Sequence, residues 1–123
     1  MKTISRVEIE DLLDSWSKGA ISDKDVHEWG QSHYCISNID VEDWEENGSI
    51  SVANSVLAEL DQLDMNLRTK EDISILKECL NAPAGCGARA ISTMQKLLSK
   101  IDLQTRAKEL KENPVYEPFC KRA

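Results

Sequence analysis

A chain of 123 residues with 41% apolar side chains is the size of one domain and can bury a core, which excludes a disordered polypeptide. Twenty-two Asp and Glu against 15 Lys and Arg leave a net charge of −7, and no apolar run approaches the ~18 residues that a membrane-spanning helix requires. The N-terminus moves directly from Met1-Lys2-Thr3 into an amphipathic pattern with no signal-peptide core, so the expectation is a cytoplasmic protein that does not enter a membrane.

The first predicted helix is signed at both ends. Ser5 and Glu8 form a capping box, Ile4 and Ile9 stand at the staple positions, and Ile9, Leu12, Leu13 and Trp16 follow helical spacing to a stop at Gly19. The second repeats the device: Ser22 is the cap, Ile21 and Val26 are the staple, and the stripe continues through Val26, Trp29 and either His33 or Tyr34. Only 17 residues separate the two caps, so the pair is expected to form an antiparallel helical hairpin.

Periodicity fails over residues 35–51, where Asn38, Asn47, Gly48 and Ser49 supply turn chemistry, and a loop is expected with at most one helical turn over residues 41–46. A third helix spans residues 52–63, with Val52, Val56, Leu57, Leu60 and Leu63 facing inward. Met65 and Leu67 touch the core from a short linker. Thr69 caps a fourth helix three residues before Asp72, with Ile73, Leu76 and Leu80 on its apolar side. Beyond the break at residues 82–87, Ile91, Met94, Leu97, Leu98 and Ile101 form one stripe and Leu103, Ala107 and Leu110 another out of phase with it, which predicts a bend at Asp102 between a fifth and a sixth helix. Asn113-Pro114 ends the series, leaving residues 114–123 as an irregular tail with Tyr116 and Phe119 as tethers. No segment shows strand alternation. The fold class is therefore all-α, a single domain over residues 1–123 built as a compact bundle of about five to six helices.

Charge is distributed unevenly. Residues 1–64 hold 15 acidic and four basic side chains, a balance of −11, whereas residues 65–123 hold seven and 11, a balance of +4. The front half repels nucleic acid and anionic lipid and attracts a cationic protein surface. Its densest feature is residues 40–46, where Asp40, Glu42, Asp43, Glu45 and Glu46 surround Trp44 with no basic residue among them. Such a run is either an interface with Trp44 as anchor or a solvated loop whose tryptophan plugs the core.

Nothing in the sequence carries catalysis. GxSxG, HExxH and P-loop motifs are absent, and Gly85-Cys86-Gly87 reads as a hinge before a helix. Cys35, Cys79, Cys86 and Cys120 match no CxxC or zinc-knuckle spacing; they read as reduced thiols, Cys79 in the core and Cys120 exposed. His27 and His33, six apart on a helix, point to different faces, so neither a metal nor a cofactor is expected. Lys96, Lys100, Arg106, Lys108 and Lys111 recur at helical intervals without interleaved aromatics, which describes a solvated face better than a nucleic-acid surface.

Three stretches carry a resemblance: residues 12–30, reading LLDSWSKGAISDKDVHEWG; residues 56–67, reading VLAELDQLDMNL; and residues 69–73, reading TKEDI. Together they resemble small helical immunity proteins of bacterial contact-dependent growth inhibition and related polymorphic toxin systems. The likeness covers residues 5–81 and says nothing of residues 82–113 or of the tail. It implies a non-enzymatic protein that occupies a cognate toxin, often a nuclease with a cationic substrate channel. On that reading an acidic surface of Asp40, Glu42, Asp43, Trp44, Glu45 and Glu46, extended by Asp61 and Asp64, covers the toxin's active site or substrate groove. The alternative is a regulatory adaptor or nucleic-acid-associated module that uses the basic C-terminal helices.

Overall fold

Ser5 opens the first helix, its hydroxyl accepting from the Glu8 N–H at 3.2 Å while the Glu8 carboxylate accepts from the Ser5 N–H at 3.4 Å. These reciprocal bonds satisfy two of the donors that a helix start leaves free. In the computed structural model, which describes residues 2–121, α1 runs Arg6–Ser17, and Ile4, Ile9, Leu13 and Trp16 are all fully buried. Gly19, at φ +78°, then turns the chain with no Cβ to oppose it.

Ser22 and Asp25 form a second capping box at the start of α2, Asp23–His33. This helix packs more extensively along α3, Val52–Asp61, than along α1, to which the tight turn joins it. The buried stripe of α2 also differs from the expected one. Val26 and Gly30 are buried, whereas Trp29, His33 and Tyr34 are half-buried, with the Trp29 and His33 rings stacked at 4.1 Å. Gly30 is where the two helix backbones meet: a Cβ there would lie 2.6 Å from the Leu60 carbonyl carbon and 2.8 Å from the Asp61 nitrogen. Alanine favours an isolated helix over glycine by about 1 kcal/mol, yet main-chain atoms cannot move aside. Gly30→Ala is therefore expected to lower stability by roughly 2 kcal/mol in urea melts; a stabilised variant would show that the α2–α3 contact can open without cost.

Two short strands correct the expectation that none exist. β1, Lys2–Ile4, pairs in parallel with β2, Ile39–Val41, placing Ile4 opposite Val41. Three residues are too few for alternation to show, and what fixes the pair is the burial of Ile4 and Val41, exposed by 0% and 5%. The helical turn expected over residues 41–46 lies later, as a 3-10 turn at Glu46–Gly48. Glu46, Asn47 and Gly48 hold φ of +49°, +59° and +86°, so the loop reverses direction through consecutive left-handed residues.

The middle of the chain follows its pattern closely. Val52, Val56, Leu57, Leu60 and Leu63 are buried, and Thr69 with Asp72 forms a capping box on a 3-10 turn, Lys70–Asp72, that leads into α4, Ile73–Leu80. Leu67 is buried, but Met65, expected against the core, is 51% exposed. Helix α5 spans Gly87–Leu98, and Asp102 caps α6, Leu103–Leu110, after the predicted bend. The tail is not irregular throughout. Tyr116 is fully buried, its hydroxyl donates to the Arg68 carbonyl, and this anchor lets Glu117–Cys120 form a short helix, α7. Residues 122 and 123 lie outside the described residues. Seven α-helices and one two-stranded sheet thus make an all-α bundle among the described residues, and no helix in it is long and apolar enough to cross a membrane.

Candidate functional site

The loop of residues 40–46 leaves the sheet at Val41, and the Glu42 N–H donates to the Ile4 carbonyl at 3.2 Å, which ties the loop to the start of α1. The chain then turns Asp43 inward, leaving that side chain 13% exposed. One carboxylate oxygen accepts from the Ser51 hydroxyl at 2.5 Å; the other accepts from the Ala53 N–H at 3.0 Å and from Arg6 Nε at 2.7 Å. Burial by itself would raise the Asp43 pKa, but the three donors outweigh it, and the carboxyl titrates below its ordinary range.

Arg6 is the hub of this arrangement. One guanidinium nitrogen donates to the carbonyls of Leu80 at 3.2 Å and Ala82 at 2.6 Å, and another lies 3.8 Å from the Glu45 carboxylate. Glu45 in turn accepts from the N–H groups of Gly85 and Gly87, each at 3.1 Å. A Cβ on Gly87 would lie 3.0 Å from that carboxylate and 3.1 Å from the Ile50 side chain, a tight approach that one or both would have to yield to. One arginine from α1 and one glutamate from the loop therefore tie the acidic segment to the end of α4 and the beginning of α5. Sequence reading passed over Arg6, although an isolated arginine in a half so rich in carboxylates was a signal that one of them is held internally.

The five carboxylates are consequently not equivalent. Asp43 and Glu45, expected at the surface, serve the fold, because Asp43 meets the charge of Arg6 and Glu45 accepts from the N–H groups of residues 85 and 87. Asp40, Glu42 and Glu46 are exposed. Between them stands Trp44, 41% exposed, with its indole N–H donating to Asp40 at 2.8 Å. The same Asp40 oxygen accepts from the Val41 N–H at 2.8 Å, so the acid that orients the ring is itself fixed. Trp44 does not plug the core; it is held on the outside.

Asp61 and Asp64 belong to a different neighbourhood. His27 Nε2 lies 3.1 Å from the Asp61 carbonyl and 3.3 Å from the Asp64 carboxylate, which is 19% exposed and also accepts from the Met65 N–H at 2.7 Å. Among the described residues, no hydrogen bond or ion pair links them to the 40–46 loop. His33 faces elsewhere, Nδ1 lying 2.6 Å from the Trp29 carbonyl. No group of three or more His, Cys, Asp or Glu among the described residues is placed to hold a metal ion.

All four cysteines are free thiols. Burial pushes the Cys79 thiol up to about 11, whereas Cys35 and Cys86 are exposed. Cys120, expected in the open, is partly covered and donates to the Tyr116 carbonyl at 3.3 Å because α7 folds it inward. Arg106 leaves the presumed solvated face of the C-terminal helices altogether: it is 7% exposed and pairs with Asp72 at 2.8 Å and Glu71 at 3.2 Å. Lys96, Lys100, Lys108 and Lys111 remain exposed.

No family model matches this chain, and no curated protein or solved structure matches it.

Proposed function

We propose that this protein is an immunity-type inhibitor that neutralises a cationic bacterial toxin, a nuclease being the class expected, by laying an acidic surface over its active site or substrate groove. The observation that carries the reading is Trp44: a large aromatic side chain, two-fifths exposed, oriented by Asp40 and flanked by the exposed Glu42 and Glu46. Tryptophan loses little conformational entropy on docking and is enriched among residues that dominate interface energetics. Flanking carboxylates steer a cationic partner and raise the association rate. Inhibition of this kind works by exclusion and demands no chemistry of the inhibitor. The alternative reading, a nucleic-acid-associated module on the C-terminal helices, is weakened by the loss of Arg106 to the interior.

The test uses surface residues only, since Asp43 and Glu45 are needed by the fold. With the toxin domain of any adjacent reading frame that encodes one as the ligand, Glu42→Lys combined with Glu46→Lys is expected to slow association about tenfold at low salt. Trp44→Ala is expected to act on dissociation, weakening the complex by about 2 kcal/mol or more. Unchanged rates together with undiminished protection of cells against that toxin would remove the acidic loop from the interface.

A further inference from the structure

Between α4 and α5 lies an open cleft of about 320 Å³, near the lower end of what ligand pockets enclose and enough for a partner's side chain. Ile75, Cys79, Ala90, Met94 and Leu97 give it apolar walls, and Leu97 is 37% exposed at its edge. The cleft is joined to the acidic loop. Trp44 shares a niche with Ala84 and Gly85, while Ala82, Pro83 and Cys86 line the cleft, so residues 82–86 form one ridge with the tryptophan on one side and the apolar trough on the other. That ridge is fixed. Arg6 donates to the Ala82 carbonyl, and Glu45 accepts from the N–H groups on either side of Cys86.

We infer that the partner-facing surface runs from Trp44 over this ridge into the α4–α5 cleft, which receives an apolar side chain of the same cationic protein that the acidic loop meets. The inference rests on the function proposed above. Charge selects the occupant: Asp40, Glu42 and Glu46 lie on the loop side and Glu78 lines the cleft, against Arg89, which forms no ion pair among the described residues, and Arg6 beside Trp44, a charge that Asp43 and Glu45 already meet. A second copy of this chain would bring the same carboxylates against its own kind, an arrangement that costs energy, whereas a basic partner is drawn in. An apolar centre inside a charged rim, already rigid before docking, is the anatomy of a protein interface in which little ordering entropy remains to be lost.

Cys86 offers a direct readout, because it is exposed, lines the cleft, and can be followed in the wild-type chain. N-ethylmaleimide labelling, resolved by peptide mass spectrometry with Cys35 as the reference thiol, is run with and without the toxin domain used in that binding test. Complex formation is expected to slow labelling of Cys86 about tenfold, and Leu97→Asp is expected to raise Kd about tenfold with an unchanged melting temperature. If the complex forms, depends on Glu42, Trp44 and Glu46, and yet leaves Cys86 reactive and tolerates Leu97→Asp, the inference is overturned while the acidic-loop reading stands. Protection of Cys86 on raising the concentration of this protein alone would give the cleft to a second copy and also overturn it. Failure of the toxin domain to bind at all would remove both.

Discussion

Arg106→Ala is expected to destabilise the protein by roughly 3 to 5 kcal/mol, more than any other substitution of a C-terminal charged residue. The Arg106 side chain is 9% exposed and its guanidinium sits against Asp72, whose side chain is 2% exposed, and also donates to the Leu67 carbonyl at 3.1 Å. Removing it leaves a carboxylate in the interior whose remaining donor is the Thr69 N–H at 2.9 Å. A buried charge stripped of its partner costs far more than the pair was worth. The second partner, Glu71, is 74% exposed and contributes little, so Glu71→Ala should change stability by less than about 1 kcal/mol. Combining Arg106→Met with Asp72→Asn should recover part of the loss, since no uncompensated charge is then buried. Urea midpoints at constant m-value read these differences. An Arg106→Ala protein within 1 kcal/mol of the wild type would mean that water reaches Asp72 and that the pair is not an interior one. Because Arg106 joins α6 to the segment before α4, faster hydrogen exchange over residues 103–110 should accompany the loss.

This pair also shows where sequence reading stops. Ser5, Ser22 and Thr69 were legible as helix starts because each cap and its reciprocal acid lie three residues apart, and local chemistry determines whether the bond forms. The first six helices and the inward residues of α3 and α4 were legible for the same reason, since helical spacing is a short-range property, whereas α7 depends on the long-range anchor at Tyr116. Arg106 meets Asp72 across 34 positions, and Arg6 meets Asp43 across 37. No local pattern distinguishes Arg106 from the solvated lysines around it, and Arg6 stands out only by its isolation among carboxylates, which does not say which of them it meets. Gly30 was hidden too, because its meaning comes from the Leu60 backbone rather than from its neighbours. The acidic loop was legible as a charge cluster, but which of its members face outward depends on where Arg6 and residues 85–87 arrive, and that is tertiary structure.

Asp43→Asn is expected to lower stability at neutral pH by roughly 3 kcal/mol and to flatten the response to acid. An amide cannot accept from Ser51, Ala53 and Arg6 as the carboxylate does, and it withdraws the charge that Arg6 faces. The sign of the pH effect follows from the direction of the shift. A carboxyl whose folded pKa lies below its ordinary value of 3.8 contributes stability that is present above that value and is lost as the pH falls through the folded one. The wild type and Asp43→Asn should therefore differ most at pH 5 to 7 and converge as the solution is taken below about pH 4. Asp14, Asp25 and Asp102 are also held below the ordinary range, Asp14 by Lys77, Asp25 by the Ser22 cap and Asp102 by Thr105. They are common to both proteins and cancel in the comparison. A stability gap that stayed constant from pH 7 to pH 3 would show that Asp43 acts through packing alone. If the gap closes, the charge on the part-buried Asp43 is what ties the loop carrying Trp44 to α1 and α3, and on the function proposed above Asp43→Asn should also weaken binding of the inhibited protein.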